Sequence, residues 1–269
     1  MTLALHRHGP DGLPLVLLHG FPLDATMWDD VVAELADLPV ITVDAPGFGA
    51  SPQPDDVARA VGRSAEPALE TYADAVAAAL HGAGVDRAVV AGLSMGGYAV
   101  LALAERHRGL LAGVGLLDTK ASADDEAARE NRFSVAASAE SVGAEAVGPM
   151  LTQVLGATTQ AGRPELVERM RAWLAAAPPA GIAWAQRAMA ARPDRLFTLE
   201  DLGVPALVLR GAEDPSAPQD AANTMSAALA DVEVVVVPHA GHMSAVEAPG
   251  PVAAALRRLY ERCAQGPVG

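Results

Sequence analysis

The chain has 269 residues, 51% apolar and 19% charged, enough to bury one sizeable core and unlike the composition of disordered or fibrous chains. A formal net charge of -14 argues against a nucleic-acid partner, and of the 19 basic residues only Lys120 is a lysine. Cys263 stands alone, which excludes an internal disulfide and thiolate metal clusters; with no secretion-type N-terminal pattern and no run of roughly 18 apolar residues, a cytoplasmic protein without a membrane partner is expected.

Short apolar runs recur along the chain between helical stretches, the pattern of a mostly parallel sheet covered by helices, an α/β class. Leu3 to His6 reads as an edge strand. Leu15 to Leu18, Val40 to Val43, Ala88 to Ala91, Val114 to Leu117, Ala206 to Leu209 and Val234 to Val237 are nearly unbroken in apolar residues, as strands buried on both faces should be. The segment from Pro52 to Pro67 is long, polar and without a legible period. After it Leu69, Tyr72, Val76, Ala79 and Leu80 share one helical face, and Gly82 and Gly84 end that helix. The alternation lapses between Thr119 and Leu199, where Leu166, Met170 and Trp173 keep helical spacing and Gly162, Pro164, Pro178, Pro179 and Pro193 divide the stretch. Residues 119–199 are therefore expected to form an inserted helical lid on a core made of residues 1–118 and 200–269. Val252, Ala255, Leu256, Leu259 and Tyr260 then place a last amphipathic helix after Pro251.

Three strand ends carry candidate chemistry. Gly92-Leu93-Ser94-Met95-Gly96-Gly97 follows the run ending at Ala91 and opens a helix toward His107. A serine on so sharp a strand-to-helix turn exposes its hydroxyl, and its neighbours must be small. A phosphate-binding loop, the bland alternative, would want a lysine after the last glycine, and there is none. Gly211-Ala212-Glu213-Asp214-Pro215 offers a carboxylate after the run ending at Leu209, with Asp118 a rival acid at the end of the preceding strand. Gly241-His242 follows the last strand, and His239 competes with it. The order Ser94, Asp214, His242 is that of a nucleophile, an orienting acid and a general base in a Ser-Asp-His arrangement.

Through His19-Gly20-Phe21-Pro22, the segment Asp44 to Ser51, Gly92 to Gly97, Gly211 to Pro215 and Gly241-His242, the chain resembles the α/β-hydrolase superfamily. The segment from Leu117 to Asp124 is similar, more narrowly, to the branch of 3-oxoadipate enol-lactonases and small esterases. The resemblance implies an eight-stranded sheet, of which one outer strand is expected to be missing here. It also implies an oxyanion hole built from the Phe21 and Met95 backbone N–H groups, with His19 structural. A serine at 94 sets the chain apart from the dehalogenase and epoxide hydrolase branches, which place an aspartate there. The implied activity is hydrolysis of a small-molecule ester or lactone through an acyl-enzyme, with no metal or organic cofactor. Carbon–carbon hydrolysis and cofactor-free haloperoxidase chemistry use the same residues, and a ligand-binding protein without turnover is the alternative of another class. Trp28, Phe133, Trp173, Trp184 and Met189 are candidates for an acyl pocket or simply core.

Overall fold

In the computed structural model, which describes residues 3–264, seven strands form one sheet in the order β1-β3-β2-β4-β5-β6-β7. The strands are β1 (Leu5–His8), β2 (Leu15–Leu18), β3 (Val40–Val43), β4 (Ala88–Leu93), β5 (Leu111–Leu117), β6 (Ala206–Gly211) and β7 (Val232–Val237). Each expected run is a strand. The edge strand at the N-terminus lies two residues later than the expected Leu3 to His6 and pairs antiparallel with β3, Leu5 opposite Val43. Every other pairing is parallel. Seven strands among the described residues fit the expectation that one outer strand of eight is lacking.

The reason for the unbroken apolar runs is visible in burial. Strands β2 to β6 are buried along their whole length, whereas the edge strand β7 leaves Val234 and Val236 exposed. Short α1 (Asp29–Glu34) precedes β3, and α2 (Pro54–Ala60) forms within the segment that showed no period. Pro54 at its first turn, with Asp55 and Asp56 beside it, supplies the missing start signal, since a proline there loses no hydrogen bond and acids suit a helix N-terminus. Then α3 (Leu69–Gly82) packs on α4 (Met95–Arg106), and α4 on β4 and β5.

Between β5 and β6 no strand forms. The chain runs instead through α5 (Glu126–Val142), α6 (Leu151–Val154), α7 (Ala157–Gly162), α8 (Pro164–Ala176), α9 (Pro179–Ala191) and α10 (Leu196–Glu200). Asp125 caps α5 by accepting the Ala128 N–H at 2.8 Å, and Pro164 and Pro179 open α8 and α9. The α5–α9 pair is joined at a buried hub: Asp124 takes two bonds of 2.6 Å from Arg192 and one of 2.5 Å from Arg132, with Lys120 at 3.1 Å. Arg192 also lies 4.0 Å over the Tyr98 ring of α4, so the same hub ties these helices to the layer that covers the sheet. Trp28, Trp184 and Met189 are core, Trp173 is partly buried against that core, and Phe133 is 47% exposed. Trp184 lines a cavity of about 590 Å³ with Pro54, Pro67 and Pro179, and Ser94 is not in its wall. After β6 come α11 (Gln219–Ala228), α12 (Ser244–Glu247) and α13 (Pro249–Ala264), the last packing on β5, β6 and β7. No helix among the described residues is long and apolar enough to cross a membrane.

From β1 to β3 the chain builds one side of the sheet; it then crosses β2 to lay down β4 on the other. Two neighbouring parallel strands thus send their following loops apart at their carboxyl ends, leaving a crevice there. His19 to Pro22 leave one side of it and Ser94 the other.

Candidate active site

Ser94 sits between β4 and α4 with φ 53° and ψ -110°, a conformation costly for a residue with a Cβ, by about 1–3 kcal/mol. Close packing enforces it. A Cβ on Gly92 would lie 2.2 Å from the Gly96 carbonyl carbon, and one on Gly96 would lie 2.2 Å from the Leu18 carbonyl oxygen. The Ser94 N–H donates to the Leu117 carbonyl at 2.8 Å, and Thr119 Oγ1 donates to the Ser94 carbonyl at 2.9 Å, so β5 grips the turn from the side.

Three residues far apart in sequence meet there. His242 Nε2 is 2.8 Å from Ser94 Oγ, and His242 Nδ1 is 2.8 Å from Asp214 Oδ2. An ionised carboxylate can only accept, so Nδ1 carries the proton and Nε2 is left to accept the serine hydroxyl's. Burial pushes the imidazole toward its neutral form, but the bond to Asp214 and that residue's charge outweigh it and hold the pKa above the ordinary 6.5. Burial likewise works against the charge on Asp214, and the His242 bond with the Ser216 and Ala217 N–H groups brings its pKa below 3.8. This is the pairing in which each partner stabilises the other's charged form.

The Asp214 loop is held by its own strand. Buried Arg210, at the end of β6, donates to the Asp214 carbonyl at 3.0 Å and to the Ala217 carbonyl at 3.1 Å. Asp118 is close by and fully buried, but its oxygens are taken: Oδ1 accepts the Gly211 N–H at 2.7 Å and Oδ2 the Ser244 hydroxyl. Burial, and then the nearby Asp214 charge, push its pKa up to about 7. His239 is not brought to the site; its Nδ1 lies 4.0 Å from Glu213 and its side chain is 77% exposed.

Phe21 follows β2 and Met95 opens α4, both at the crevice, and among the described residues neither backbone N–H donates to a protein acceptor. His19 is buried and structural: its Nε2 accepts the Ala45 N–H at 2.9 Å and its Nδ1–H donates to the Gly20 carbonyl at 3.0 Å. Burial lowers its pKa, in keeping with a neutral ring. Asp44 is also spent on architecture, accepting the Ala25 and Ala50 N–H groups at 2.8 and 2.9 Å and His6 Nε2 at 2.9 Å.

The supporting residues Arg210, Ser244 and Glu247 escaped the sequence reading. A signal existed for two of them: Arg210 interrupts the apolar run of β6, and Glu247 follows Ala245 and Val246 in an apolar stretch. Among the described residues no group of histidine, cysteine or acid side chains is arranged to hold a metal ion.

Comparison with known proteins gives the same fold and the family. Residues 15–255 match the Alpha/beta hydrolase family, and the chain belongs to it. The structure is similar to that of a thermophilic esterase from Thermogutta terrifontis, at 36% identity and a TM-score of 0.89 over 97% of this chain and 93% of the other. It is similar in fold to the enol-lactonase from Burkholderia xenovorans LB400, at 24% identity and a TM-score of 0.84 over 96% of each chain. Among curated proteins the Pimeloyl-[acyl-carrier protein] methyl ester esterase of Aromatoleum aromaticum is 29% identical over 241 residues, 85% of this chain and 90% of that protein. The namesake from Legionella pneumophila (strain Lens) matches over 56 residues only, so the chain spans 23% of its length at 41% identity.

Proposed function

We propose that the chain hydrolyses a small carboxylic ester or lactone through an acyl-enzyme on Ser94. The observation that carries this reading is the unbroken line from Ser94 Oγ to His242 to Asp214, each step 2.8 Å. As Oγ attacks the carbonyl carbon, its proton passes to His242 Nε2, and Asp214 stabilises the imidazolium that forms. The carbonyl oxygen becomes an oxyanion, which the Phe21 and Met95 N–H groups receive; each such donor is typically worth about 2.7–4 kcal/mol in the transition state. The leaving alcohol takes the proton from Nε2. Water, deprotonated by the same nitrogen, then attacks the acyl carbon and frees Ser94.

In this reading residues 119–199 cap the crevice, and their ties to the core set how substrate enters. The esterase names of the relatives support an ester as substrate class. The test is turnover of a short p-nitrophenyl ester with covalent labelling by a fluorophosphonate. Ser94→Ala is expected to lose a factor on the order of 10⁴ or more in kcat and all labelling. Hydrolysis unchanged in that variant would end the proposal. A panel of esters, lactones and a vinylogous diketone, run with and without hydrogen peroxide, then separates the acyl acceptor and the bond cleaved.

A further inference from the structure

The loop that carries His242 does not rest on the core alone. Glu247, five residues on and 5% exposed, places Oε1 3.0 Å from the Gly241 N–H and Oε2 2.8 Å from the Gly156 N–H. Gly241 belongs to the histidine loop; Gly156 belongs to the helical insertion, between α6 and α7. One carboxylate, with no cation on its oxygens among the described residues, thus joins the two backbones. The contact is too close for side chains: a Cβ on Gly241 would lie 2.2 Å from the Gly156 nitrogen, and one on Gly156 would lie 2.8 Å from the Gly241 nitrogen. Further bonds follow the same seam. The Met243 N–H donates to the Val154 carbonyl at 3.1 Å, Arg163 donates to the Glu247 carbonyl at 2.6 Å, and Thr158 donates its N–H at 2.8 Å and its hydroxyl at 2.5 Å to Glu213, next to Asp214.

We propose that Glu247 is a positioning residue for His242: by holding Gly241 and Gly156 on its two oxygens it makes residues 154–158 of the insertion a bracket for the general base, so that the cap and the imidazole are set in place together. The inference rests on the acyl-enzyme reading above. Its physical basis is that a buried carboxylate is stabilised by the two N–H groups it accepts, and those groups have no equal partner if it is lost. A displacement of about 1 Å at the base is enough to lower turnover by up to about a hundredfold, because proton transfer needs Nε2 within hydrogen-bond reach of Oγ.

The test compares Glu247→Gln, Glu247→Ala and Gly156→Ala with the parent enzyme on a p-nitrophenyl ester. The glutamine keeps the size but turns an N–H donor toward one of the two N–H groups; Gly156→Ala leaves Glu247 intact and pushes the bracket from the other side. Folding is checked by melting and near-ultraviolet circular dichroism. In folded variants kcat is expected to fall on the order of 10- to 100-fold with KM changed by less than about threefold. The groups that face His242 are Asp214, Asp118 and Glu247, all acidic and all raising its pKa once its burial is set aside. Neutralising Glu247 therefore moves the acid limb of the kcat profile to lower pH in Glu247→Gln, and leaves it in place in Gly156→Ala, where the charge remains. A folded Glu247→Gln enzyme with kcat within twofold and the limb unmoved overturns the inference; if that variant does not fold, unchanged kcat in Gly156→Ala does so. Failure of the underlying reading looks different, because then Ser94→Ala itself would still turn over.

Discussion

Two aspartates stand at the ends of adjacent strands, and their hydrogen bonds decide between them. Asp214 has an oxygen 2.8 Å from His242 Nδ1, while Asp118 spends both oxygens on Gly211 and Ser244. Asp214→Asn should therefore lower kcat by about 10⁴, since an amide in that place favours the wrong tautomer, whereas Asp118→Asn should retain most activity. The opposite ranking in a p-nitrophenyl ester assay would transfer the orienting role to Asp118. Stability gives an independent view of the same residue. The pKa of Asp118 is about 7 in the fold against 3.8 for a free aspartate, so the folded chain binds its proton more tightly and loses stability as pH rises from about 4 through 7. Asparagine keeps the geometry, with an amide oxygen for the Gly211 N–H and an amide N–H for the Ser244 hydroxyl, and nothing to titrate. Asp118→Asn should melt above the parent at pH 8, and the gap should close as the pH approaches 4; a lower melting temperature at pH 8 would contradict this account.

At the level of elements, the strands were legible because burial on both faces favours apolar residues, so β2 to β6 read as nearly continuous apolar runs, interrupted only by Thr42 in β3 and by Arg210 near the end of β6. Helix α2 was not, because seven residues give under two full turns of periodicity, and a start signal of Pro54 with Asp55 and Asp56 does not suffice without it. The helical character of the stretch between β5 and β6 was legible from its prolines and spacing, but not its anchorage, which depends on polar pairs far apart in the chain. Asp124 and Arg192 are 68 residues apart and meet as a buried bidentate pair, and no local pattern announces that. The same pair makes a test of how the α5–α9 layer is held. Removing one partner of a buried ion pair leaves the other charge stranded, at a cost of about 3–5 kcal/mol. Asp124→Asn strands Arg192 and leaves Arg132 and Lys120 beside it unneutralised, so a melting temperature lower by roughly 10 °C is expected. Burial opposes the charge on Asp124, but Arg192 and Arg132 bring its pKa well below 3.8. Its stabilising contribution is therefore present above about pH 4 and lost on acidification, and the gap between variant and parent should narrow below that pH. A constant gap from pH 7 to pH 3 would show that packing, not charge, is what the substitution removes.

For the whole molecule, the crossing of the chain from β3 over β2 to β4 is what brings the loops of residues 19–22 and 94–97 to one crevice, and β6 and β7 deliver Asp214 and His242 to the same end of the sheet. That convergence was legible from strand ends in chain order, because parallel strands all release their loops on the same edge. What no strand pattern conveys is the electrostatic setting, in which a chain of formal charge -14 carries a site whose proposed mechanism needs no substrate charge. The field of an acidic protein lowers the local concentration of anionic solutes, and salt screens it over a Debye length of about 8 Å at physiological ionic strength. An ester bearing a free carboxylate should accordingly show a kcat/KM that rises a few-fold between about 0.02 and 0.5 M sodium chloride, through KM and not kcat, while a neutral ester of the same acyl length should not respond. A fall in kcat/KM with salt for the carboxylate ester would instead mean that local positive potential at the crevice outweighs the net charge and selects for anionic acyl groups.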